Sequence, residues 1–368
     1  MDRWVECLEK TRAALAAGGY AAALTFRLEH VRYVSPYRPP FSLSVSQRVA
    51  ALITPEDLVV FVPQIDAAGL RETAADRFIV EPLPINQAAW GEPLNHALAA
   101  RVPSGTVAVD GALAAVMARL HGDLVLDARP FEEARRIKTP AEVALIRRGV
   151  GMVAGAIDAA WSALAPGMSE LELAAVAEHA ARAAGAEGFA FFAIVTTNGD
   201  VARRRYATGY RFKDGDFVFL DLGVVNGGYC AEFSRATVVG PRVSDLQRSI
   251  FCAAYHANRA ALDRLRPGVL GSELDAAARA VIHDAGLAEY RYRHVTGSGI
   301  GLMLQERPIV SDPFDGGLDE VLAPGMVLNV EPGVYHPEAG GLRAEDIVLV
   351  TEDGYELLST FPYDPRLL

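Results

Sequence analysis

The 368-residue chain is 51% hydrophobic and 22% charged, the composition of an ordinary globular protein, and it is long enough for two domains. Its net charge of −11, with no long Lys/Arg block, argues against nucleic acid as a partner, because phosphate binding needs a basic surface. No window reaches the roughly 20 apolar residues that span a bilayer. Residues 1–6 lack a signal-like apolar core, and Cys7, Cys230 and Cys252 show no Cys-x-x-Cys spacing; the expectation is a cytoplasmic protein with no membrane partner, disulfide or zinc–thiolate site.

Residues 3–17 have a helical pattern that stops at Gly18-Gly19. Strands are predicted at 21–25, 48–53 and 57–62, helices near 67–75 and 86–100, and strands at 106–109 and 124–126. This is an alternating α/β domain over residues 1–128. Inside it, the stretch from Arg32 to Phe41 reads as a stiff aromatic and basic loop, with Tyr37 and Arg38 placed to reach another surface. A charged linker is expected at 129–138. Beyond it, Thr139, Pro140 and Glu142 predict a capping box with proline at the first helical position, and Ser169 with Glu172 predicts another. A strand is predicted at 189–196.

The run Phe217 to Leu220 ends on Asp221, and an apolar stretch returns from Tyr229 after Asn226-Gly227. Asn-Gly is the strongest two-residue hairpin signal. With these two residues as the turn, Val225 lies opposite Gly228 and Asp221 opposite Glu232. Opposed Cβ atoms are roughly 4.5–5.5 Å apart, close enough to share a cation or a proton. A slipped register, or a surface hairpin in which Asp221 merely starts a turn, stays open.

Ser244 with Gln247 caps a further helix, and Ser272 with Asp275 is expected to cap one ending at Gly286. Glu331 then follows the apolar run 326–330, and Glu345 interrupts the run 342–350. A buried ionised carboxylate costs several kcal/mol unless paired or ligated, so repeated acids in core-like strands call for a reason. The segment Pro166-Gly167…Ser169-Glu170-Leu171 recurs about 100 residues later as Pro267-Gly268…Ser272-Glu273-Leu274. Two related halves, each of two helices and antiparallel strands, would bring Asp221, Glu232, Glu331 and Glu345 into one pocket over residues 139–368.

The runs Arg136-Ile137-Lys138-Thr139-Pro140, Asp221-Leu222-Gly223, Gly297-Ser298-Gly299-Ile300-Gly301, Asn329-Val330-Glu331-Pro332-Gly333 and Arg343-Ala344-Glu345-Asp346 resemble the pita-bread family of aminopeptidase P, prolidase, methionine aminopeptidase and creatinase. The resemblance covers nearly the whole chain. It implies an α/β (α+β) protein with a creatinase- or prolidase-type N-terminal domain before a pita-bread domain of pseudo-twofold halves. It also implies a homodimer in which the N-terminal domain of one subunit borders the active site of the other. Metallopeptidases of the family hold two metal ions with two aspartates, one histidine and two glutamates. Here Asp221, Glu331 and Glu345 match, Glu232 replaces the second aspartate, and Ser298 replaces the histidine. Arg204 and Gln305 stand near the family's proton-handling histidines, while His294 and His336 are close in sequence.

Three readings follow. The leading one is a metal-independent, creatinase-like hydrolase cleaving a C–N bond in a small amino-acid-like or cationic nitrogenous compound, with Glu331 or Glu345 as base. The alternatives are a metal-dependent Xaa-Pro aminopeptidase or dipeptidase with a carboxylate-only site, and a non-catalytic binding protein or non-hydrolytic enzyme on the same scaffold. No cofactor is expected; if a metal binds, oxygen ligands favour manganese or magnesium on Asp221, Glu232, Glu331 and Glu345. Tyr37, Arg38, Arg204, Tyr206, His294, Ser298, Gln305 and Arg343 are the candidate contacts to a small-molecule substrate. Arg203, Arg204, Arg205, Arg235, Arg307 and Arg343 all lie in motif-bearing segments, where they can neutralise the acids.

Overall fold

In the computed structural model, which describes residues 2–38, 49–74, 77–111, 114–313 and 318–368, the chain divides into two units, Met1–Arg135 and Arg136–Leu368. The first contains α1 (Arg3–Ala17), β1 (Ala22–Thr25), α2 (Leu28–Val34), β2 (Ala50–Ile53), β3 (Leu58–Pro63), α3 (Gln64–Ala74), β4 (Ile79–Leu83), α4 (Gly91–Arg101), β5 (Val107–Asp110), α5 (Ala114–Met117) and β6 (Leu124–Leu126). The strands form one mixed sheet in the order β4-β3-β2-β1-β5-β6. Leu24, Leu52, Val59, Phe61, Trp90 and Val109 build its core.

Two expectations change in this unit. Residues 32–34 end helix α2 rather than opening a loop, because Tyr33 is buried and donates to the Ala134 carbonyl at 2.6 Å. Tyr37 is buried too, its hydroxyl donating to Asp66 at 2.6 Å, whereas Arg38 is exposed. Pro39, Pro40 and Phe41 lie outside the described residues. The expected linker is in large part the helix α6 (Arg129–Arg136), which buries Phe131 and Ala134 one turn apart.

The second unit opens with α7 (Pro140–Ala163), α8 (Glu170–Ala183), β7 (Gly188–Thr197), β8 (Phe217–Asn226) and β9 (Tyr229–Val238). It continues with α9 (Asp245–Arg264), α10 (Gly271–Asp284), β10 (Gly297–Gly299), β11 (Glu306–Val310), β12 (Val327–Val330), β13 (Gly333–His336), β14 (Gly340–Arg343), β15 (Asp346–Val350) and β16 (Tyr355–Leu357). The order helix, helix, antiparallel strands thus occurs twice. The sheets are β7-β8-β9, β11-β10-β12-β15-β16 and the pair β13-β14. Capping boxes start three of the helices: Thr139 with Glu142, Ser169 with Glu172 and Ser244 with Gln247. Helix α10 starts earlier than expected, since the Leu270 N–H donates to Glu273 at 3.1 Å while Ser272 is held by Asp319.

The apolar faces of α9 and α10, including Phe251, Ala254, Leu274 and Ile282, pack against Phe217, Phe219, Leu328 and Val348. The three-residue strand β10 shows why glycine flanks Ser298. A Cβ on Gly297 would sit 2.2 Å from the Asn329 carbonyl oxygen, and one on Gly299 would sit 2.4 Å from that of Arg307. Strands approach so closely there that only the central residue of Gly-Ser-Gly can carry a side chain. No described helix is long and apolar enough to cross a membrane.

Candidate active site

The hairpin β8–β9 forms, but in a different register from the expected one. Asn226 pairs with Tyr229, so the turn is Gly227-Gly228, with φ of +61° and +83°. Two glycines supply both positive φ values without a Cβ penalty. The Asn226 side chain is used elsewhere, donating to the Leu145 carbonyl at 2.8 Å. Asp221 therefore lies opposite Ser234, and Glu232 opposite Gly223. The two acids are diagonal neighbours on one face, still within reach of each other because side-chain direction repeats every second residue.

The other two acids come from chain crossings beside β12 and β14. The Glu331 N–H donates to Thr296 at 2.7 Å, and the Ala344 N–H donates to Pro332 at 2.9 Å. A single buried amide holds both crossings: Asn258 on α9 donates to the carbonyls of Val330 at 3.0 Å and Ala344 at 2.8 Å. Asn258→Ala is expected to cost about 2–4 kcal/mol, because two buried carbonyls each lose their donor. Urea denaturation measures it, and a cost near zero would mean that Asn258 does not hold these crossings.

Asp221, Glu232, Glu331 and Glu345 all end buried, and carboxylate oxygens of Asp221, Glu232 and Glu345 approach within 4.8 Å of one another. Arg343 is buried among them. Its guanidinium contacts Asp221 directly, and its Nε is 3.4 Å from Glu331 and 3.6 Å from Glu345. Asn329 completes the arrangement, its amide donating to Glu232 at 3.0 Å and Glu345 at 2.8 Å. Four buried oxygens, Asp221 Oδ1, Glu345 Oε2, Asn329 Oδ1 and Ser298 Oγ, have no hydrogen-bond partner among the described residues.

One guanidinium cannot balance four carboxylates. Burial, then repulsion from Glu345, pushes Glu331 up to about 8. Burial and Asp221 push Glu345 up to about 7. Glu232 is raised well above the ordinary carboxylate range by burial and by the other three acids, and Asp221 is raised too, by burial that outweighs the pull of Arg343. The cluster therefore retains protons at neutral pH.

Of the six arginines that the sequence offered as neutralisers, Arg343 is the one in the cluster. Arg235 is bound to Asp346 at 2.9 Å and to the Glu345 carbonyl at 2.7 Å, supporting the site from behind. Arg307 pairs with Glu320 at 2.7 Å. Arg204 pairs with Glu170 at 2.7 Å and Asp200 at 2.9 Å, and Arg203 donates to the Pro337 carbonyl at 3.0 Å. Arg205 makes no such pair among the described residues, but its charge acts on Asp221 and Glu331 and opposes their upward shift.

A cavity of about 380 Å³ opens over Asp221, Glu232 and Glu331, with Phe191, Phe192, Arg205, Tyr206, His294 and Gln305 also on its wall, while Glu345 lies behind that lining. Arg204 instead lines a neighbouring chamber, and Ser298 lies buried in the sheet, opposite Asn329. His294 is committed at both nitrogens, to the Val295 carbonyl at 2.8 Å and the Tyr335 hydroxyl at 2.7 Å. Burial drives its pKa down to about 4, so the ring is neutral, with Nδ1–H donating to the carbonyl and Nε2 accepting from Tyr335. His336 Nδ1 accepts from the N–H groups of Glu338 and Ala339, both at 3.2 Å. His294, which shares the cavity with the acids, thus has neither ring nitrogen free for a ligand. The donor set is all oxygen, unlike the histidine-bearing set of the family's two-metal centres, and Arg343 and Asn329 already bind it. The role of Asn329 escaped the sequence reading; a lone amide in the apolar strand preceding Glu331 was the available signal.

A model of metallopeptidase family M24 matches residues 144–352, the stretch that carries all four acids. The chain belongs to metallopeptidase family M24. A probable dipeptidase PepE of Mycobacterium bovis is 32% identical over 330 residues, covering 86% of this chain and 85% of that protein. The putative dipeptidase YkvY of Bacillus subtilis is 34% identical over 235 residues, covering 64% of this chain, which spans only 63% of that relative. Among solved structures, the Xaa-Pro dipeptidase from Bacillus anthracis superposes with a TM-score of 0.86 at 25% identity, covering 98% of this chain and 99% of that one. The mixed α/β architecture is thus that of pita-bread M24 peptidases over nearly its whole length, and the chain is of a hydrolase family.

Proposed function

We propose that this M24 protein hydrolyses a C–N bond in a dipeptide-sized zwitterion by carboxyl chemistry, with Arg343 and Asn329 in place of metal ions. The observation that carries the proposal is a buried four-carboxyl cluster, three of whose members, Asp221, Glu232 and Glu331, line a cavity of about 380 Å³, a volume suited to a small ligand. The substrate amino group is held by Asp221, which lines the cavity and whose Oδ1 has no hydrogen-bond partner among the described residues. Phe191, Phe192 and Tyr206 supply apolar walls. The dipeptidase names of the relatives support a dipeptide as substrate.

Two carboxyls whose environments separate their pKa values provide an acid and a base. Glu345, near 7, is partly ionised at neutral pH and takes a proton from the attacking water. Glu331, near 8, is protonated and gives its proton to the leaving nitrogen. Arg343, on the cavity wall, stabilises the oxyanion that develops on the scissile carbonyl, and Arg205, on the same wall and without a carboxylate partner among the described residues, takes the substrate's terminal carboxylate.

A second reading, a metal-dependent Xaa-Pro dipeptidase, is favoured by the named relatives and by the 4.8 Å approach of Asp221, Glu232 and Glu345. These carboxylates suit a hard, oxygen-seeking ion such as manganese or magnesium rather than a histidine-preferring pair. The experiment is hydrolysis of Xaa-Pro and other dipeptides by the full chain before and after chelation, with elemental analysis alongside. The expected result is substoichiometric transition metal and activity that survives chelation. Activity lost to the chelator and restored by manganese transfers the site to the second reading, and cleavage of no dipeptide sinks both.

A further inference from the structure

The acid-lined cavity shares Arg205, Tyr206, His294 and Arg343 with a larger outer chamber of about 720 Å³. The chemistry reverses across that shared wall. The outer chamber is lined by Arg203, Arg204, Arg205, Arg291, Arg293 and Arg343, against one acid among the described residues, Glu289. Half of these guanidiniums are already committed: Arg203 and Arg204 to Asp200, Arg204 also to Glu170, and Arg343 to the buried acids. Arg205, Arg291 and Arg293 are exposed and hold no carboxylate among the described residues. Three unspent guanidiniums facing one glutamate leave a net positive chamber immediately outside an acidic pit.

Such a bipolar site selects a molecule with its cation inward and its anions outward. One guanidinium, Arg205 at the junction, is enough for the terminal carboxylate of a dipeptide. Arg291 and Arg293 stand two residues apart on the segment leading to His294, and they remain for a second anion. Planar guanidiniums bind carboxylates through paired, charge-assisted hydrogen bonds, which makes arginine the residue suited to such a group. We propose that the outer chamber is an anion subsite for a second carboxylate, and that the preferred substrates are small dipeptides ending in a dicarboxylic residue, aspartate or glutamate. This rests on the reading of the inner cavity as the place where the C–N bond is cut.

The test separates the subsite from that reading by measuring binding first. Glutarate and butyrate are titrated into the full chain by calorimetry at low salt, and into Arg291→Gln/Arg293→Gln, whose changes lie on exposed side chains. Glutarate is expected to bind the parent protein about tenfold tighter than butyrate, the size of one charge-assisted contact, with the advantage shrinking in the double variant and at high ionic strength. Equal affinities, or an advantage that the double variant keeps, overturn the subsite whether or not any dipeptide is cleaved. Kinetics then places the subsite: Ala-Glu should exceed Ala-Gln in kcat/KM by about tenfold, a ratio falling toward one in the double variant, with glutarate as a competitive inhibitor. Arg291 and Arg293 also border a neighbouring groove containing Asp275 and Asp312. Non-competitive inhibition would place the glutarate there and overturn the substrate role. If no dipeptide is hydrolysed, the proposed activity fails while the glutarate titration still decides the anion site.

Discussion

Replacing Arg343 by methionine is expected to destabilise the protein by about 3–5 kcal/mol at pH 8.5, the loss typical when one partner is removed from a buried charge cluster, and by much less near pH 5.5. Methionine keeps most of the side-chain bulk, so the effect isolates the charge. The pH dependence follows from the carboxyls left behind. Glu331 and Glu345 rise to about 8 and about 7 in the folded protein, from an ordinary value of 4.5. A carboxyl with a raised folded pKa holds its proton longer in the native state than in the unfolded chain. Its contribution to stability is fully present below about 4.5 and is lost as pH rises through 7 to 8. Without the guanidinium these acids resist ionisation still more, so the decline steepens at alkaline pH. Urea denaturation of both proteins at pH 5.5 and 8.5 measures the difference. An equal penalty at the two pH values would show that Arg343 contributes packing and hydrogen bonds rather than charge compensation.

What the sequence made legible, and what it hid, divides along locality. Thr139–Glu142, Ser169–Glu172 and Ser244–Gln247 start helices where expected, because a capping box is written within four residues. The hairpin was visible but its register was not: Asn226-Gly227 and Gly227-Gly228 are both competent turns, and the choice depends on Leu145, 81 positions away, taking the Asn226 amide. Ser272 looks like an N-cap until Asp319, from a distant loop, claims it. The four acids were readable as a set because carboxylates in apolar strands are conspicuous. Which arginine neutralises them was not readable. Arg235, Arg307 and Arg343 all lie in strands of motif-bearing segments, and only the fold sends Arg235 to Asp346, Arg307 to Glu320 and Arg343 into the cluster.

Restoring the family's ligand set makes the other large effect. In Ser298→His/Glu232→Asp, an imidazole would project from the one position of β10 where a side chain fits, since Gly297 and Gly299 are closed by the carbonyls of Asn329 and Arg307. Ser298 is buried with an unpartnered hydroxyl, and it lies opposite Asn329, whose amide touches Glu232 and Glu345. A side chain growing from 298 therefore enters the neighbourhood of the acids. Shortening Glu232 by one carbon makes room and withdraws one acceptor from Asn329. The double variant should gain about 100-fold or more in affinity for manganese or cobalt, since a nitrogen donor added to carboxylates fits these ions far better than oxygen alone. Dipeptidase activity supported by the metal should nonetheless remain low, because Arg204 is tied to Glu170 and Asp200, and Gln305, which does line the cavity, cannot carry protons near neutral pH. Calorimetric titration of parent and variant decides between the outcomes. An unchanged affinity in a folded variant would mean that residue 298 does not face the acids, and that Arg343 and Asn329 hold the cluster too firmly for an ion to enter.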